Sequence, residues 1–100
     1  MEPLTPAVFH ILLALYNGER HGYAIMQEFP MGPGTLYGSI KRMLGAGLIE
    51  EAGERPDPEL NDERRRYYRL TAEGKRAAEG ETKRLQSLVR LAKSKAVCST

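Results

Sequence analysis

Two prolines three residues apart, Pro30 and Pro33, separate one helical pattern from the next and leave space only for a tight turn. The residue before a proline avoids helical geometry. Pro30 therefore closes a short helix from about His21 to Glu28, whose larger apolar residues are Tyr23, Ile25, Met26 and Phe29. The next helix begins near Pro33. In it Leu36, Ile40, Met43 and Leu44 fall at i, i+4, i+7 and i+8, a stripe that faces a core. At about 100° per residue, Gly34, Thr35, Gly38, Lys41 and Arg42 fall on the opposite side, with Tyr37 at the flank. Gly45 and Gly47 supply the stop. Two short helices so closely joined read as a helix-turn-helix.

The flanking sequence completes the pattern. Thr5 is suited to cap a first helix with Pro6 at its first position, where the missing N–H costs nothing. Val8, Ile11, Leu12 and Leu15 mark its buried face. "GLIEEA" reads as a short strand and "RRRYYRL" (64–70) as its return partner, with a Pro-, Asn- and charge-rich loop at Gly53–Glu63 between them. Thr71 caps a last helix, in which Leu85, Leu88, Val89, Leu91 and Ala92 offer too much apolar surface for a solvated tail.

The expected fold is mainly α with a small β-hairpin: a winged helix-turn-helix followed by a long dimerisation helix. Residues 1–70 form the DNA-binding part, with helices at about 6–16, 21–28 and 33–45 and the wing at 48–70; residues 71–97 form the last helix. A three-helix winged fold of this size is already complete. The extra apolar positions therefore suit a coiled-coil-like contact with a second copy, made by Leu85, Leu88, Val89 and Ala92 and joined by helix one through Val8 and Leu12.

Net charge is +2, which says little, but charge is unevenly placed. Seven of the 13 acids lie between Glu50 and Glu63, directly before the four arginines and two tyrosines of "RRRYYRL". Local basic clusters matter when the partner is a polyanion. No apolar run approaches the ~20 residues that span a bilayer. The start lacks a basic n-region, with Glu2 and Pro3 in its place, so the expected location is the cytoplasm. A single cysteine, Cys98, precludes an internal disulfide or a Cys-based zinc site and reads as a bystander.

Glycines inside the third helical pattern point outward. Gly34 and Gly38 each oppose helix stability by ~1 kcal/mol, so a close approach by something else is the better account of them. A recognition helix brings its N-terminal part to base edges and phosphates, and its free N–H groups favour anions. Gly32 and Gly34 would let the backbone come near, while Thr35, Tyr37, Lys41 and Arg42 reach across the low surface at Gly38. In the strand "RRRYYRL", Tyr68 and Leu70 are expected to pack inward and Arg65 to face solvent or phosphate. The plainer reading of Arg64, Arg65 and Arg66 is that they neutralise the neighbouring acids. Those acids argue against a wing tip deep in the minor groove, so the wing base is the expected phosphate contact and the tip stays in solvent.

"HGYAIMQEF", "GPGTLYGSIKRMLGAGLIEE" and "RRRYYRLTAEGKRAAE" in this order resemble the PadR family of bacterial transcriptional regulators, over nearly the whole chain. The resemblance implies a homodimer joined by the first and last helices, bound to a palindromic operator on double-stranded DNA, usually as a repressor. In some members a small aromatic or drug-like effector relieves repression. Carried over by position, Gly34, Thr35 and Tyr37 face the groove with Lys41 further along, Tyr23 lies near the DNA backbone, and Arg64–Arg66 form the basic base of the wing. Two departures stand out. Only Pro30 and Met31 connect Phe29 to Gly32, where the family has a longer link, and the chain has no tryptophan on which a ligand could stack.

Nothing resembles catalytic machinery. His10 and His21 have no second ligand at metal spacing, and a capping or packing role is expected of His21. The Gly-Pro-Gly stretch lacks the lysine of a phosphate-binding enzyme loop. The chain reads as a non-enzyme without cofactor or metal. The alternative to a DNA-binding regulator is a winged-helix protein-interaction module, or a regulator whose main task is sensing an effector at the dimer interface.

Overall fold

A computed structural model describes residues 4–60 and 63–97. Glu2, Pro3, Asn61, Asp62 and Cys98, all invoked above, lie outside the described residues.

Helix α1 (Pro6–Leu15) starts as its sequence dictates: the Thr5 hydroxyl accepts the Val8 N–H at 3.2 Å, with Pro6 in the first turn. It ends one residue earlier than expected, at Leu15. A two-residue strand β1 (Arg20–His21) leads directly into α2 (Gly22–Glu28), and Pro30 ends that segment. Helix α3 (Pro33–Gly45) stops in a paired turn: Gly47 N–H donates to the Leu44 carbonyl and Leu48 N–H to that of Met43, with Gly47 at φ +74°. A side chain at 47 would be strained there.

Strand β2 (Ile49–Pro56) pairs with β3 (Arg64–Leu70), from Ile49 opposite Leu70 to Pro56 opposite Arg64. From sequence, this strand ends near Ala52 and the loop begins at Gly53. Instead Gly53 adopts φ +99° and forms a bulge between Glu51 and Glu54, after which pairing resumes. Pro56 is tolerated because β2 is an edge strand. A single 3-10 turn (Pro58–Leu60) follows. The hairpin is also wider than expected, because β1 pairs with β3 through Arg20–Tyr68 and His21–Tyr67, giving a three-stranded antiparallel sheet in the order β1-β3-β2.

One apolar core joins Ile11, Leu12 and Leu15 of α1, Ile25 of α2, Leu36, Ile40 and Met43 of α3, Ile49, Tyr68, and Ala78 of the last helix. Val8 and Leu12 therefore need correction as interface residues. Leu12 is 0% and Val8 9% exposed within the chain itself, so neither side chain is open to a second copy. Periodicity had marked a buried face; the face is buried by this chain's own α3 and last helix.

Helix α4 (Ala72–Ser94) is locked where it begins. The Thr71 hydroxyl accepts the Gly74 N–H and donates to the Gly47 carbonyl at 2.6 Å, while the Thr71 N–H donates to that of Leu48. A Cβ on Gly74 would lie 2.0 Å from the Leu48 oxygen, so only glycine allows this approach. Beyond Glu81 no side chain of α4 is fully buried, and Leu85 and Ala92 are half-buried. The molecule measures 51 × 26 × 24 Å, and its radius of gyration of 15.6 Å exceeds the ~13 Å of a compact chain this long.

Candidate nucleic-acid interface

Helix α3 turns two opposed faces to its surroundings. Leu36, Ser39, Ile40 and Met43 are buried, whereas Gly34, Thr35, Tyr37, Gly38, Lys41 and Arg42 are all exposed. Among the described residues, nothing beyond its chain neighbours and its own helix backbone lies within 4 Å of a Cβ built on Gly32, Gly34 or Gly38. Intramolecular packing thus supplies no reason for glycine at these sites. The cap position, Gly32, offers no side-chain acceptor, so the first N–H groups of α3 stay without a side-chain partner. Among the described residues, neither Lys41 nor Arg42 pairs with a carboxylate. This face is low, cationic and unoccupied by the chain's own groups.

The H-G-Y segment is where α2, α3 and the wing meet. His21 caps α2: its Nδ1 accepts the Ala24 N–H at 3.1 Å, as the sequence reading anticipated. Its Nε2 lies 2.7 Å from a carboxylate oxygen of Asp57 at the wing turn, a long-range pairing that no local pattern signals. Gly22 is buried beneath Tyr37, whose hydroxyl would be 2.8 Å from a Cβ at that position. Tyr37 is half exposed, so it lies over α2 while keeping an edge in solvent. Tyr23 is also exposed, and the Arg65 guanidinium lies 5.3 Å from its ring centre. The structure thus brings Tyr23 and Arg65 together beside α3.

The wing arginines divide. Arg65 pairs with Glu63 at 2.8 Å and Arg66 with Glu51 at 3.6 Å, which bears out part of the charge-neutralising reading. The exposed Arg66–Glu51 pair is of the weak surface kind, whereas Arg65 is half-buried. Arg64 donates to the Glu54 carbonyl and pairs with no carboxylate among the described residues. The Nε of Arg65 is buried without an acceptor among the described residues. Tyr68 packs inward as expected, and burial raises its phenol above the ordinary value. The His21 hydrogen bond, helped by the Glu59 N–H, lowers Asp57. The acidic turn is therefore tied back to α2 through Asp57.

A second surface is chemically unlike the first. Leu88, Val89 and Leu91 are 48%, 54% and 53% exposed on distal α4. Leu85 and Val89 line an apolar groove of about 530 Å³ with Phe9 and Leu13 of α1. Half-buried Ala92 lies on the same length of helix. Among the described residues no group of His, Cys, Asp and Glu could hold a metal ion, and no helix is long and apolar enough to cross a membrane.

Helix-turn-helix, an adjoining β-wing and an exposed cationic helix face define a winged helix-turn-helix protein of the DNA-binding class. The sequence matches the family described as "Transcriptional regulator PadR-like family" over residues 11–80. The chain belongs to this PadR family of transcription regulators, which agrees with its reading as a non-enzyme. Among solved structures, a PadR family transcription regulator from Clostridium difficile is 25% identical, with a TM-score of 0.75, covering 90% of this chain and 97% of that one. A PadR-like transcription factor from Bacteroides fragilis is 20% identical (TM-score 0.73; 89% and 88% covered). Bacillus subtilis PadR in complex with operator DNA is 23% identical (TM-score 0.61; 78% and 47% covered), so the chain matches about half of that protein's length. A comparison with curated proteins finds no significant match.

Proposed function

We propose that this chain is a repressor that binds a palindromic operator as a homodimer. The observation that carries the reading is the outward face of α3. Among the described residues, a Cβ on either of two glycines there would meet no packing neighbour, and two cationic side chains have no counter-ion. On this reading Gly34 and Gly38 admit the duplex, Thr35, Tyr37, Lys41 and Arg42 meet base edges and phosphates, and Tyr23 with Arg64–Arg66 follows the backbone. The unpartnered stripe at Leu85, Leu88, Val89 and Ala92 supports the dimer, together with Phe9 and Leu13 of α1 in place of Val8 and Leu12. Two winged helices so joined would read half-sites about 34 Å apart, one turn of DNA. On this reading the protein works in the cytoplasm.

The test is titration of DNA from upstream of the protein's own gene at several salt concentrations. Binding at least ~10³-fold tighter than to random DNA supports a sequence-specific regulator. Equal, weak binding to every duplex would favour a protein partner. A second reading, that a small-molecule effector acts at the dimer interface, draws on the groove between α1 and α4, whose lining is mainly apolar. A compound that binds there and releases the operator would support it.

A further inference from the structure

We infer that His21 is a positioning residue for the wing, acting through Asp57 to fix where the wing arginines meet DNA; this rests on the DNA-binding reading above. The two side chains are 36 residues apart in sequence and belong to different parts of the fold. His21 ends β1 and caps α2, while Asp57 stands at the turn between β2 and β3. His21 is 3% exposed.

Its hydrogen bonds choose one tautomer. Nδ1 accepts from Ala24 and so carries no proton; Nε2 carries it and donates to Asp57. The other tautomer would set Nδ1–H against the Ala24 N–H and a lone pair against the carboxylate. Both contacts would be repulsive. Asp57 is equally committed, since its second oxygen accepts the Glu59 N–H at 3.0 Å. The Tyr67 ring meets the imidazole edge-on at 5.2 Å and fixes its plane.

One ring therefore joins the start of the helix-turn-helix to the far end of the wing. Rotation of the wing away from α2 would leave a buried N–H without an acceptor. Arg64, Arg65 and Arg66 begin the strand that follows this turn. Their reach relative to α3 is thus set by the angle that His21 holds. Phosphate contact needs such a supporting group, because a misplaced ligand-binding side chain loses its contact altogether.

The experiment compares wild type, Asp57→Ala, His21→Asn and the double variant on DNA from upstream of the gene, across salt and well below each variant's melting temperature. Asparagine keeps the cap through its side-chain oxygen but is too short to reach Asp57. Each single variant should bind about tenfold more weakly, with a salt slope shallower by ~0.9 or more, one phosphate contact. The double variant should be no worse than the worse single one. In the free protein, nitrogen-resolved NMR should place the His21 proton on Nε2 in slow exchange, and Asp57→Ala should make that exchange fast. Loss of stability alone would leave the salt slope unchanged. If Asp57→Ala fails to fold, His21→Asn carries the comparison. Unchanged slope and affinity in the single variants, or additive losses in the double one, overturn the inference. The DNA-binding reading then survives if Lys41→Ala still weakens the complex. A wild-type protein that does not distinguish this DNA from random duplex at any salt overturns both.

Discussion

The outward face of α3 and the distal half of α4 are both open to solvent, yet their chemistry is opposite. The first presents Gly34, Thr35, Gly38, Lys41 and Arg42; the second presents Leu88, Val89 and Leu91. Neither is needed to complete the core, which α1, α2, the inner side of α3, the sheet and the first turns of α4 already close. Exposure marks surface left over from folding, and side-chain chemistry says what such surface can meet. Lysine, arginine and bare backbone suit a polyanion. Leucine and valine suit another apolar surface. On the proposed reading the contrast would separate binding to DNA from association with a second copy, so that each could be lost without the other.

Leu88→Asp should divide them most sharply. A carboxylate in the apolar stripe should weaken self-association at least about 100-fold, as expected for burying an unpaired charge. Sedimentation should then find monomer, with the fold intact by circular dichroism. Gly74→Ala should instead harm the body that carries both surfaces. Its Cβ would meet the Leu48 carbonyl at 2.0 Å, and the forced shift should cost about 3 kcal/mol in denaturant unfolding. Tyr37→Ala and Lys41→Ala should leave the dimer unchanged and each lose about 1–3 kcal/mol of operator affinity. Full affinity in both variants would move the reading surface away from α3.

The smallest effect should come from pH. His21 lowers Asp57, and bidentate Arg84 lowers Glu81 on α4. A lowered folded-state value means that the stabilisation is complete above the ordinary carboxylate range. It is lost as pH falls below about 4 through the folded-state values. Thermal melts from pH 6 to 2 should show that loss, and Asp57→Ala should blunt it. A melting temperature flat across this range would count against both pairings.

Much of this architecture is legible in the sequence because its helices are punctuated. Pro6, Pro30, Pro33 and Gly47 sit where helices start or stop, and the stripe at Leu36, Ile40 and Met43 is the one buried. The faces of α3 follow directly from that spacing. Strand β1 was hidden because two residues carry no periodic signal; pairing with β3 creates it. The extension of β2 was hidden because Gly53 signals a turn as readily as a bulge. Val8 and Leu12 failed for another reason: a pattern tells that a helix face is covered and is silent about which chain covers it. The contacts of His21 with Asp57 and Gly22 with Tyr37 are long-range, and no local pattern announces them.

The clamp at Thr71 and Gly74 turns α4 into an arm with a fixed root. At 1.5 Å per residue its 23 residues extend about 34 Å, so a pivot of ~10° at the root would carry the far end through ~6 Å. The gearing is steep in one direction and shallow in the other: large displacement at the tip corresponds to slight rotation of the body. Phase matters as much as length. Deleting one residue between Glu81 and Leu85 would turn the stripe by about 100° about the helix axis relative to the root. The two winged helices of a pair would then face different sides of a duplex, though every residue of both surfaces remained. The residue count of α4 thus acts as a gauge for the DNA half-sites such a pair could span.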